Sequence, residues 1–213
     1  LPPLGAGNHT ITATYGGDTN FNGSNGSVAG GHAVSKADTS VSVVSATNPS
    51  VLGQPVTFTA TVSVIVPGVG TPTGTITFFA NGNPICTAVA MSGLQATCTT
   101  SSLPPGNQVI TATYNGDANF NGSSGTLSGG QAVSKADTTV TVTALPASTV
   151  TGQSVTFTAT VGVVAPGSGT PTGTITFFAN GNPLCTAVAM TGVQATCATS
   201  ALPAGNHAIS ATY

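Results

Sequence analysis

Between Pro55 and Val64 the chain alternates without a break. Val56, Phe58, Ala60, Val62 and Val64 fall on one side, and Thr57, Thr59, Thr61 and Ser63 on the other. A period of two built from β-branched residues predicts a strand with one buried and one wet face. The same pattern predicts strands at Asn8–Tyr15, Ser40–Val44, Thr75–Phe79, Cys86–Ala90, Leu94–Cys98, Asn107–Tyr114 and Thr126–Val133, with a weaker signal near Ser27–Val34. Gly- and Pro-rich breaks separate them, and Asn81-Gly82 is a strong hairpin-turn signal. Apolar residues nowhere recur at a 3.6-residue period, so essentially no helix is expected.

The pattern repeats. Gly74–Cys98 returns at Gly173–Cys197 with three conservative differences, an offset of 99 residues that also links Tyr15, Tyr114 and Tyr213 without a gap. A fixed period of this size marks a tandem array. About seven strands per period, with turns every 8–12 residues, favours an all-β architecture of antiparallel sandwiches. The period divides the chain into residues 1–35, the closing hairpin of a truncated repeat; 36–134, a complete repeat; and 135–213, a repeat lacking its last strand. A lone hairpin is marginal in water. The two terminal pieces are therefore expected either to belong to a longer array or to be completed by a neighbouring copy.

Composition narrows the function. Charged residues make up 3% of the chain, against roughly 25% in ordinary soluble domains. Lys36 and Lys135 are the only cations, and Asp18, Asp38, Asp117 and Asp137 the only anions. Electrostatic nucleic-acid binding and a polybasic membrane patch are both excluded. No apolar run approaches the roughly 20 residues of a membrane span. So few charges mean weak repulsion between copies, and a tendency to associate side by side.

Four cysteines stand at matching places, Cys86 and Cys98 in one repeat and Cys185 and Cys197 in the next. Pairing within each repeat is the simplest reading and implies an oxidising, extracellular setting. A β-hairpin turning at Met91-Ser92-Gly93 would place Cys86 directly opposite Cys98, with Cα atoms about 4.5 Å apart. A loop this short would stabilise by about 3 kcal/mol in the chain-entropy account.

Candidate chemistry is sparse. His9 aligns with Gln108 and His207, and His32 with Gln131. An amide cannot replace a working imidazole, so these positions read as surface polar residues. No catalytic triad, paired carboxylates or Cys/His metal spacing recurs, so no catalytic residues are expected. Asp18, Asn20 and Asn22, with Asp117, Asn119 and Asn121 one period on, match the front half of a calcium loop and lack its closing Glu. They are weak calcium candidates and ordinary turn formers at once. Lys36 and Lys135, beside Asp38 and Asp137, read as boundary pairs orienting successive repeats. Asn8, Asn22, Asn25 and Asn121 begin glycosylation sequons.

The order T-F-T-A-T-V, G-T-P-T-G-T-I-T-F, L-P-x-G-N-H, I-T-A-T-Y-x-G-D-x-N-F, then a K-A-D-T restart, resembles the bacterial Ig-like repeat family over nearly the whole chain. The resemblance implies tandem Ig-like sandwiches of a large secreted or surface-anchored bacterial protein, serving as stalk, spacer or adhesive module. The expectation is a non-enzymatic stalk or self-associating filament whose partners are other copies of itself or neighbouring repeats. The alternative is an adhesin gripping a glycan or host protein through inter-strand loops, with Phe21 and Phe120 as stacking candidates.

Overall fold

The computed structural model describes residues 3–213. Leu1 and Pro2, the start of the expected terminal hairpin segment, lie outside the described residues. Among the described residues every regular element is a β-strand. The chain forms two compact units, one of Leu1–Asn48, Pro55–Thr100 and Asn107–Ala132, the other of Pro49–Gln54, Ser101–Gly106 and Val133–Tyr213. This partition differs from the one drawn by the sequence period.

In the first unit, the N-terminal segment carries β1 (Gly7–His9), β2 (Thr12–Tyr15), β3 (Ser24–Ser27) and β4 (His32–Val34). β1 pairs with β4 and β2 with β3, both antiparallel. Where the alternation reads one strand at Asn8–Tyr15 and another at Ser27–Val34, each splits in two.

The sandwich proper has two layers. One sheet contains β5 (Thr39–Ser45), β7 (Val56–Val64) and β10 (Gln95–Thr100) in the order β10-β7-β5. The other contains β8 (Thr75–Ala80), β9 (Asn83–Ala90), β12 (Ile110–Tyr114) and β13 (Ser123–Thr126) in the order β13-β12-β8-β9. The inward residues named by the alternation form the core. Phe58, Ala60, Val62, Ile76, Phe78, Ile110, Ala112 and Tyr114 are fully buried. β8 turns into β9 through Asn81 (φ 50°) and Gly82 (φ 80°), the paired left-handed conformation that a two-residue hairpin requires.

Two further strands break and one expected pairing fails, each for a local reason. The stretch Asn107–Tyr114 breaks into β11 (Gly106–Gln108) and β12. Val109 faces outward between them. Its N–H donates to Asn81 Oδ1 at 2.8 Å and its carbonyl accepts from Asn81 N–H at 2.8 Å. Thr126–Val133 likewise breaks into β13 and β14 (Gln131–Ser134), because Gly129 (φ 76°) and Gly130 (φ 74°) turn the chain away. Finally, β9 and β10 do not form a ladder with each other. Their link is a tight turn closed by Ser92 and Gln95, with Gly93 at φ 62°, and the two strands lie in different sheets.

The second unit repeats this plan with β15 (Thr138–Leu145), β16 (Val155–Val163) and β19 (Gln194–Thr199) in one sheet. β17 (Thr174–Ala179), β18 (Asn182–Ala189) and β20 (Ile209–Thr212) form the other. Its core is Val155, Phe157, Ala159, Val161, Ile175, Phe177, Ala195 and Cys197. Within this unit, β6 (Ser50–Val51) runs parallel to the end of β14, pairing Ser50 with Val133 and Val51 with Ser134.

Candidate functional site

Chemistry and construction concentrate at the two lateral seams where the sheets meet. At one seam the edge strands β9 and β10 are joined by the Cys86–Cys98 disulfide, with Cα atoms 6.0 Å apart. The cysteines are therefore not facing residues of a hairpin, as the spacing suggested; the bond crosses between layers. A bulge in β9 makes this possible. Ile76 pairs with Val89 but Phe78 pairs with Cys86, so between these pairs one residue of β8, Thr77, faces two of β9, Thr87 and Ala88. Ala88 absorbs the extra residue at φ 49°, and its N–H donates to Thr77 Oγ1 at 3.3 Å. The slip puts Cys86 beside inward-facing Phe78, on the side of buried Cys98. The second unit builds the same seam with Cys185–Cys197, Ala187 at φ 49°, and Cα atoms 6.1 Å apart.

The opposite seam of the first sandwich has no covalent bond. There β13 lies along β5, so close that a Cβ on Gly125 would strike the Val41 carbonyl oxygen and stand 2.7 Å from its carbon. Glycine is what allows the two sheets to meet there.

The Asp117–Gly122 loop sits beside that seam. Asp117 Oδ1 accepts the N–H groups of Asn119 (2.8 Å) and Phe120 (2.9 Å). Oδ2 accepts the Thr73 N–H (2.8 Å) and hydroxyl (2.9 Å). Burial opposes the charge, but these four donors outweigh it and hold the carboxyl down at about 2. Both oxygens are thus already engaged by the chain's own donors. Asn119 Oδ1 accepts from Ala6 N–H at 2.8 Å, and Asn121 donates its amide to Asp38 Oδ1 at 2.8 Å. In the N-terminal copy Asp18 Oδ1 caps Asn20 and Phe21, while Oδ2 accepts the Tyr15 hydroxyl at 2.9 Å. Hydrogen bonds from the Asn20 N–H and the Tyr15 hydroxyl favour its charged form and hold its pKa below the ordinary carboxylate value. Among the described residues no three His, Cys, Asp or Glu side chains gather as a metal would need.

Phe120, a stacking candidate by sequence, is a core residue: it is 5% exposed, and its ring lies against Gly70. Its counterpart Phe21 is 68% exposed. Lys36 and Asp38 do not pair with each other as a boundary ion pair. Lys36 Nζ donates to the Asp117 carbonyl at 2.6 Å and Asp38 holds Asn121, so both clamp the same loop.

The positions where His and Gln alternate also differ from expectation. In the complete repeat they are not surface groups: Gln108 is 4% exposed and Gln131 is 0%. Gln108 Oε1 accepts from Asn81 Nδ2 at 2.6 Å. Gln131 Oε1 accepts the Ser45 hydroxyl at 2.7 Å, and its Nε2 donates to the Thr47 and Ala132 carbonyls at 2.9 and 3.2 Å. Asn48 continues the row, donating to the Gly130 carbonyl (2.8 Å) and accepting the Ala132 N–H (3.0 Å). The sequence signal for this clasp was the amide itself, polar and neutral, in the last apolar-alternating stretch of the repeat.

Two antiparallel layers joined across one seam by a disulfide, a plan repeated in tandem, define Ig-like sandwich repeats. The chain belongs to the bacterial Ig-like domain (group 3) family, which it matches over residues 43–134 and 141–213. The solved structure of the N-terminal eight Ig domains of Down syndrome cell adhesion molecule, isoform 1.30.30, matches 84% of this chain at 14% identity and a TM-score of 0.36. The match takes up 23% of that structure's chain. Among curated proteins, none matches. No helix among the described residues is long and apolar enough to cross a membrane.

Proposed function

We propose that this chain is a non-enzymatic stalk segment of an exported bacterial protein, built for reach and for side-by-side association. The observation that carries the reading is the cross-sheet disulfide, repeated at the same place in both sandwiches. A covalent staple between layers resists separation of the sheets, which is what a module under tension or in a harsh extracellular medium needs. The Ig-like repeat fold supports a structural or adhesive role, and disulfides favour an exported home.

The wet faces support lateral association. On the first unit's outer sheet Thr57, Thr59 and Thr61 stand opposite Thr99, Thr97 and Gln95. Thr57 and Thr99 share a hydrogen bond at 2.8 Å, and Gln95 Nε2 donates to Thr61 at 3.1 Å. A formal charge of −2 over the whole chain leaves little repulsion between copies. Electron microscopy of the native protein tests the reading: extended rods, single or laterally bundled, are expected. A compact particle, together with saturable binding on a glycan array, would replace it with the adhesin alternative.

A further inference from the structure

We propose that His9 and His32 form a two-histidine site for a divalent transition-metal ion, with copper(II) bound in preference to zinc(II). The site stands apart from the stalk reading and does not need it.

The strand register brings the two rings together. β1 and β4 pair antiparallel, with His9 directly opposite His32. Residues that face each other in such a ladder project from the same side, with Cβ atoms about 4.5–5.5 Å apart. Histidines four apart on a helix, the spacing that grips zinc in the H-E-x-x-H pattern, hold their Cβ atoms about 5–6 Å apart. The cross-strand pair therefore has the reach of a chelating geometry.

The His9 ring is already set for a metal. Its Nε2 lies 2.7 Å from the Gly5 carbonyl oxygen. A carbonyl only accepts, so Nε2 carries the hydrogen, and the neutral ring keeps its lone pair on Nδ1. A metal-bound imidazole is usually oriented by such a bond from its other nitrogen. His9 is half-buried and His32 exposed, so one ring is held and the other is open to solvent. Lys36, the nearest cation along the chain, turns its Nζ away to the Asp117 carbonyl.

Ligand chemistry chooses the ion. Imidazole nitrogen suits copper, zinc and nickel, whereas calcium and magnesium take oxygen. For a given nitrogen site copper(II) binds more tightly than zinc(II). Among the described residues no third His, Cys, Asp or Glu joins the pair, so water would complete the shell. One period on, both positions are Gln, at 108 and 131. The two ligands are thus present together or absent together. The ion would clip β1 to β4, a ladder of three residue pairs, and binding to the paired form stabilises it.

Calorimetric titration of the full chain with copper(II) and zinc(II) chloride tests the site. One copper ion per chain is expected, with zinc weaker. His9→Gln and His32→Gln should each weaken copper binding by more than about tenfold. His207→Gln should leave it unchanged, because the His207 Nδ1 is already met by Asn180 Nδ2 at 3.1 Å. Amide spectra of the metal-free variants check that β1 and β4 still pair. Paramagnetic copper should broaden the signals of Gly7–His9 and His32–Val34 first, and this map decides alone if a variant loses the pairing. No saturable binding, copper binding that survives both substitutions, or broadening centred on His207 would each overturn the proposal.

Discussion

Replacing Gly125 with alanine isolates the seam where β13 meets β5. The added Cβ would strike the Val41 carbonyl oxygen and lie 2.7 Å from the carbonyl carbon and 3.2 Å from Val41 Cβ. The obstacle is backbone, so no side chain can rotate away, and β13 must lift off β5. Gly125 is not among the glycines with positive φ, so the effect is steric and not conformational. Overpacking of this kind costs about 1–3 kcal/mol, and a backbone obstacle belongs at the upper end. For a domain of this size each kcal/mol lowers Tm by roughly 4–8 °C, so Gly125→Ala should melt about 10–20 °C early. The control is built into the repeat: Gly26, one period earlier, has nothing within 4 Å of its Cβ position. Gly26→Ala should leave the main transition within about 0.5 kcal/mol of the wild type. Calorimetry with urea titration measures both. If Gly125→Ala and Gly26→Ala proved equally silent, the close seam would be wrong.

The remaining predictions follow from single contacts. Phe120→Ala should cost about 3–5 kcal/mol, as for a buried aromatic, while Phe21→Ala should be nearly neutral, read as shifts in urea midpoint. Reducing both disulfides should destabilise each sandwich by about 2–4 kcal/mol, measured by melting with and without a phosphine reductant under otherwise identical buffer. Asp117 has a folded-state value of about 2, below its ordinary value of 3.8. Its contribution is therefore fully present above about pH 4 and is lost as pH falls toward 2, and the largely exposed carboxylate keeps it under about 1 kcal/mol. Asp117→Asn should flatten the stability–pH curve across that window, and an unchanged curve would show that Asp117 is not the group responsible.

Strand existence was legible because alternation is a local signal: Val56–Val64 and its partners hold their inward residues as the pattern requires. Partition among sheets was not, because it depends on single residues that send the chain from one layer to the other. Asn81 satisfies both backbone groups of Val109 and so permits a break that no propensity marks. The cysteine pair shows the same limit. Counting along a regular hairpin finds the partners but supplies the wrong geometry, because one extra residue at Ala88 turns Cys86 inward. The clasp was missed because Gln131 was weighed against a histidine for its proton chemistry, whereas its work is to satisfy a buried row of donors and acceptors. The same bias made Phe120 a ligand platform; a lone aromatic in an Asn-rich loop carries no sign of the Gly70 hollow that receives it.

These details share a cause in the missing charge. Exposed strand edges invite pairing with other chains, and natural sheets usually blunt them with lysine or other charged residues. This chain has two lysines and sets neither in a strand. Edge protection must then come from geometry. The outer edge strand β9 contains Pro84, which cannot donate, and the Ala88 bulge, which disrupts a regular ladder. β18 carries Pro183 and Ala187 in the same roles. β10 is tethered across the seam to β9 by its disulfide, and β5 is covered by β13 through Gly125. With β9, β10, β18 and β5 protected by shape, the wet faces beside them can stay neutral and hydroxyl-rich without inviting ladder growth at those strands. The association proposed above is accordingly assigned to the faces, where contacts are reversible, and not to these protected edges, where they would extend as sheet.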